Sequence, residues 1–231
     1  MCLFRKGRAI VFSGLDCAGK STQINLLMAS LVAAGRKPIY LWVRGGYTPI
    51  FSIAKRILRF FSKGRGLPAR GTSVKREQVF RNPRIRRLWL QIAIADMILV
   101  YGVYLRFSTW LGKDVICDRF VWDTAIDFRL NFPAEKVECW FSWRLLLWVL
   151  PCPSAAFLLL IPVSESLRRS GLKFEPFPDS EEVLGQRLDL YRSLAAEGQG
   201  RVLDCMATIA AISSEIHQNL GIAPPLENCK A

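Results

Sequence analysis

Residues 14–21 read Gly14-Leu15-Asp16-Cys17-Ala18-Gly19-Lys20-Ser21, the spacing G-x-x-x-x-G-K-[ST]. Glycines let the backbone curl until successive N–H groups point at phosphate oxygens. A lysine at this position reaches the β- and γ-phosphates, and the hydroxyl after it can hold Mg²⁺. The chemistry is the gripping of a nucleoside triphosphate by Gly14, Cys17, Ala18, Gly19, Lys20, Ser21 and Thr22. Cys17 fills a variable position of the loop and is not read as a nucleophile. The elements around the loop suit it. Ala9-Ile10-Val11-Phe12-Ser13 is a short apolar run of strand character, and Ile24, Leu27, Met28 and Leu31 recur at helical spacing behind the loop. A strand, a glycine turn and a helix N-terminus together favour an anion, because the helix dipole and its free N–H groups point the same way.

Further strands are predicted at Ile39–Val43, Val115–Cys117, Ala155–Ile161 and Arg201–Asp204, with a long apolar helix over about Ile85–Phe107 and a closing helix over Ile209–Leu220. Short apolar strands alternating with helices imply a parallel sheet covered on both faces, which binds ligands at the carboxyl ends of its strands. Residues just past those ends are therefore the informative ones. After the third strand stand Asp118, a candidate Mg²⁺ holder, and Arg119, whose planar fork suits a second phosphate. After the second strand, Arg44-Gly45-Gly46 delivers another guanidinium to the same edge.

Composition narrows the class. The chain has 231 residues, 51% of them hydrophobic, the size of one α/β domain with a full core. Thirty-two Lys and Arg against nineteen Asp and Glu leave a net charge of +13, which favours anionic partners. Seven cysteines form no C-x-x-C pair, which argues against a zinc site or a disulfide framework and for a reducing, cytoplasmic setting. No helix-turn-helix, RNP or finger pattern is present, so no nucleic acid partner is expected. The run after Arg5, Lys6 and Arg8 is too short for a signal segment. Leu88–Leu105 and Trp140–Val163 are apolar but broken by polar residues and prolines, and are read as buried helices. His217, the single histidine, is placed at the surface by default.

These blocks carry a resemblance. Gly14 to Gln23 resembles the phosphate loop of the thymidylate kinases, with its acid at the third position. Arg44 before a glycine pair, and Asp118-Arg119-Phe120, resemble the family's acceptor-binding motifs. Ser164-Glu165-Ser166-Leu167-Arg168-Arg169 is similar to its lid entry, and Arg187-Leu188-Asp189-Leu190-Tyr191 to the helix after the lid. The resemblance implies an α/β P-loop NTPase sandwich of three layers, with a five-stranded parallel sheet, helices on both faces and a short lid at about 164–182, all in one domain spanning 1–231. It implies ATP- and Mg²⁺-dependent phosphorylation of a nucleoside monophosphate, a small-molecule phosphate acceptor of the dTMP type. Lys20, Asp16, Arg119, Arg168 and Arg169 would act in transfer, with Lys173 a further lid cation. Asp16, Arg44, Asp96, Arg119 and Phe120 would meet the acceptor, and Ser21 and Asp118 the metal.

The chain departs from that pattern around the acceptor's base. The helix before the third strand reads Leu90-Gln91-Ile92-Ala93-Ile94-Ala95-Asp96-Met97, without the Arg and aromatic that grip thymine in the family. Asp96 either contacts an acceptor hydroxyl or amine, or neutralises Arg44 or Arg119. A sugar or lipid-linked phosphate is the alternative acceptor, and a nucleotide-binding protein without turnover is a third reading. A basic insertion at about 50–87 holds twelve Lys and Arg between Lys55 and Arg87 against Glu77 alone. Its 50–63 stretch is an amphipathic helix by pattern, facing either the core or an anionic membrane surface. A homodimer stays open.

Overall fold

A computed structural model of the chain describes residues 7–43, 80–173 and 179–222. Among these, β1 (Ala9–Gly14), α1 (Lys20–Ala33), β2 (Ile39–Trp42) and α2 (Pro83–Met97) come first. The α2 helix runs on through a π-helical stretch, Ile98–Leu105, into α3 (Arg106–Trp110). Then follow β3 (Val115–Asp118), α4 (Val121–Asn131), α5 (Phe141–Val149), β4 (Ala155–Leu160), α6 (Val163–Lys173), α7 (Glu181–Ala196), β5 (Arg201–Asp204) and α8 (Ile209–Leu220). The strands form a five-stranded sheet in the order β2-β3-β1-β4-β5, parallel throughout. The expected α/β sheet with helices on both faces is what the chain builds.

Alternation within the strands divides the core. Ala9 and Val11 of β1, with Val115 and Cys117 of β3, face a cluster filled by Leu90, Ala93, Met97 and Tyr101 of the long rod and by Trp143 and Leu146 of α5. Ile10, Phe12 and Ile116 face the other side, where Leu27 and Leu31 of α1, Leu188 and Tyr191 of α7, and Ile212 and Ile216 of α8 pack. Local chemistry sets the helix ends. Asn82 accepts the Arg84 N–H with Pro83 at the first helical position, and Thr208 accepts the Ala211 N–H. Gly221 ends α8 in the left-handed region at φ 61°.

Three features depart from the sequence reading here. The π-helical stretch was not anticipated. Burial recurs at Met97, Tyr101 and Leu105, every fourth residue, and a wider turn offsets the drift that a 3.6-residue repeat would impose on that line. The rod is also not a fully buried helix: its most apolar window is only 50% buried, so one side covers the sheet and the other faces outward. His217 is buried, not at the surface. Its Nε2 bonds Ser30 Oγ at 2.9 Å and its Nδ1 bonds the Ser213 carbonyl at 2.6 Å, tying α8 to α1. The 50–63 stretch lies outside the described residues, as does most of the basic insertion.

Candidate active site

The register brings the site together. Phe12 of β1 lies opposite Asp118 of β3, and Trp42 of β2 lies opposite the same residue, so the loop after β1 and the turn after β3 leave the sheet side by side. Gly14 has φ 134°, and a Cβ there would stand 2.1 Å from the Leu159 carbonyl oxygen of β4; only glycine lets the loop depart so close to its neighbour. Gly19, at φ 91°, heads α1 without a side chain to cap the first N–H groups, and a Cβ there would meet nothing within 4 Å. The cradle is open on the side where the helix N-terminus attracts an anion.

Lys20 folds back over this cradle. Its Nζ donates to the Gly14 carbonyl at 2.9 Å and to the Leu15 carbonyl at 2.5 Å. Burial and the nearby Arg119 charge push its pKa down to about 8, against the pull of Asp16, Asp123 and Asp118. Ser21 and Thr22 follow at the exposed start of the helix, while Ala18 is buried beneath the loop. Cys17 is half-buried at φ 59°, a left-handed position uncommon for a residue with a Cβ.

Arg119 is the other pivot. Its own backbone is left-handed at φ 78°, while its N–H donates to the Phe12 carbonyl at 2.9 Å. The side chain pairs with Asp16 of the loop and, at 3.3 Å, with Asp123 of α4. Burial works against the guanidinium's charge, but the Asp123 and Asp16 carboxylates outweigh it and raise its pKa. A non-glycine residue in this conformation costs about 1–2 kcal/mol, and the two carboxylates offset it. Asp118, buried at the end of β3, accepts a hydrogen bond from the Tyr40 hydroxyl at 2.7 Å. Burial and that bond raise the Tyr40 pKa, which keeps the phenol a donor.

Asp123 is the residue that sequence reasoning missed. It is 1% exposed and accepts from Ser13 Oγ at 2.6 Å, the Tyr191 hydroxyl at 2.6 Å, the Phe120 N–H at 2.8 Å and Arg119 Nη1. One carboxylate thus joins β1, the turn after β3, α4 and α7. Its signal was present in the sequence: an acid one helical turn after Arg119, at the third position of a helix that begins at Val121. Arg187, also missed, is buried and holds Asp127 at 2.6 Å and Asp179 at 2.8 Å.

The remaining candidates separate. Ser166 Oγ donates to the Asp16 carbonyl at 2.9 Å, so α6 leans on the phosphate loop. Arg169 reaches that loop too, donating to the Cys205 carbonyl at 3.1 Å and the Cys17 carbonyl at 3.5 Å. Arg168 turns away, exposed and paired with Glu165 at 2.7 and 2.8 Å. Together Arg168 and Arg169 hold the Glu165 carboxyl down at about 2. Phe120 is buried under Tyr101, with ring centres 5.0 Å apart, which places it behind the crevice wall. Asp96 is buried in α2, and the carboxylates that hold Arg119 are Asp16 and Asp123. Arg44 lies outside the described residues. The donors fit magnesium: Ser21 and Asp118 supply hard oxygen, and the described residues hold no cluster of three His, Cys, Asp or Glu, so phosphate and water oxygens would complete the shell.

No family model matches the chain. It is 28% identical over 166 residues to a thymidylate kinase of Desulfotalea psychrophila (strain LSv54 / DSM 12343), a match covering 71% of this chain and 68% of that protein. Phosphoryl transfer of the nucleotide-kinase type is the chemistry common to such proteins, and the loop, the paired arginine and the parallel sheet are the parts it needs. The likeness to a thymidylate kinase thus runs over about two thirds or more of each chain.

Proposed function

We propose that this chain transfers the γ-phosphoryl group of ATP to a nucleoside monophosphate of the dTMP type, in the cytoplasm. The observation that carries the reading is two buried cations at the phosphate loop, Lys20 bonded to the Gly14 and Leu15 carbonyls and Arg119 paired with Asp16. Phosphoryl transfer needs positive charge placed in advance around a developing anionic transition state, and little else. Lys20 leaves the two loop carbonyls for the β- and γ-phosphates, and Arg119 leaves Asp16 for the acceptor phosphate. Asp16, released, accepts an acceptor hydroxyl. Arg169 closes over the triphosphate from α6, and Arg44 positions the acceptor. Mg²⁺ held by Ser21 and Asp118 would neutralise charge on the transferring phosphates. No strong base is required, because the attacking phosphate oxygen is already anionic.

A specific observation favours a second acceptor class. Asp96 is a buried carboxylate on the helix where thymine would be gripped, and a carboxylate there suits an acceptor amine or hydroxyl better than a thymine carbonyl. A panel of monophosphates incubated with γ-labelled ATP decides. Labelled dTDP supports the first reading, and a different labelled product selects a non-thymidine acceptor, including a sugar or lipid-linked phosphate. Binding of MgATP in calorimetry with no transfer to any acceptor overturns both and leaves a nucleotide-binding protein without turnover.

A further inference from the structure

The outward side of the long rod carries an apolar surface that the active site does not use. Val103, Phe107 and Trp110 follow one another at helical spacing, with Trp110 72% exposed. The Phe107 and Trp110 rings sit 5.9 Å apart. Beside them, α5 turns out Phe141 at 79% exposure and Trp148 at 80%. The two helices form one surface. Arg106 Nε donates to the Val149 carbonyl at 3.0 Å, and a Cβ on Gly102 would come within 3.1 Å of the Val149 side chain.

Among the described residues of these two helices and the turn after the rod, the exposed charge has one sign. Arg106, Lys113 and Arg144 are exposed around the aromatic groups. Between residues 80 and 113 and between 141 and 154 the only acid is Asp96, which is buried. We propose that this face rests on the surface of an anionic lipid bilayer. Trp110, Trp148 and Phe141 lie at the boundary between headgroups and acyl chains, and Arg106, Lys113 and Arg144 lie over acidic headgroups. Indole rings favour that boundary because one edge is polar and the body is not. Arginine and lysine stems follow the apolar surface while their charges stay with the headgroups. A second copy of the chain is disfavoured as the occupant. Pairing the face with itself would set these cations against their own kind, in a protein that already carries +13. Spanning is disfavoured as well, since the inner side of the rod is the cover of the sheet.

Co-sedimentation of the full chain with vesicles tests the proposal. Vesicles of phosphatidylcholine with about 30% phosphatidylserine should bind it, pure phosphatidylcholine should bind it at least about tenfold less, and brominated acyl chains should quench its tryptophan fluorescence. The variant W110S/W148S should lose about tenfold or more of the partition, from lost apolar burial. The variant R106E/R144E should lose about twentyfold or more, since each basic group near an acidic leaflet strengthens partition about fivefold. Both variants should keep the wild-type circular dichroism and MgATP affinity. Equal partition of wild type and W110S/W148S overturns the proposal. So does a wild-type dimer in analytical ultracentrifugation that falls apart in W110S/W148S while vesicles bind neither protein, which would give the face to a second copy.

Discussion

At the carboxyl edge of the sheet the molecule buries charge; on the outward side of the rod and α5 it exposes hydrocarbon. Lys20, Asp118, Arg119 and Asp123 are all buried, while Trp110, Phe141 and Trp148 stand largely in the open. Both regions reverse the usual partition of polar and apolar groups, but they are maintained differently. The buried charges form a network in which each has named partners, so a loss at one member leaves another uncompensated. The apolar face has no such coupling. Its residues project from helices whose inner sides carry the stability, so they can be changed without stranding a charge.

That contrast can be broken by substitution. The largest effect is expected at Asp123→Ala, which strips four donors of their acceptor and leaves Arg119 with Asp16 alone. It should lower unfolding free energy by about 3–5 kcal/mol in urea titration. A loss under about 1 kcal/mol would mean that the network does not hold the edge together.

Lys20→Ala comes next, with turnover on the responsive acceptor falling about a hundredfold or more, the scale of one well-placed donor to the transition state. The sign of its effect on stability is opposite. Burial pushes the Lys20 ammonium down to about 8, against the ordinary lysine value of 10.5, so folding disfavours its proton. Stability should therefore rise with pH between those two values, and below about 8 the full penalty is present. Lys20→Met should raise the Tm of the ligand-free protein at pH 7 while abolishing transfer; a lower Tm would contradict the reading. MgATP affinity should weaken as pH climbs through about 8 and the ammonium is lost. Buffer-dependent binding heats near pH 8 would report the proton taken up when the triphosphate restores that charge.

A smaller effect separates the two arginines of α6. Arg169→Ala should cost about tenfold in kcat/KM, because Arg169 leans on the phosphate loop, whereas Arg168→Ala should change it less than about twofold. The reverse order would mean that α6 rotates on substrate binding. The smallest expected change lies on the apolar face, where Phe141→Ser should shift unfolding free energy by no more than about 0.5 kcal/mol and leave turnover unchanged. A large loss there would erase the distinction between the regions.

Local pattern and long-range packing divide what could be known in advance. The phosphate loop, all five strands and the closing helix follow from glycine spacing and from runs of apolar residues, because backbone preference and the burial of one face act over a few neighbouring positions. The sequence also placed Asp118 and Arg119 at a strand end beside that loop, through the rule that parallel strands bring their carboxyl ends to one edge. It could not say which acid Arg119 would meet. Asp16 lies 103 positions away, and Asp123, one turn ahead, becomes a hub only when Ser13 and Tyr191 arrive from 110 and 68 positions distant. His217 looked like a surface residue until α8 packed on α1 and Ser30 met its ring. Only packing could decide which side of the apolar rod would be covered by the sheet and which left open, since periodicity marks how apolar a helix is and not how many of its faces find a partner.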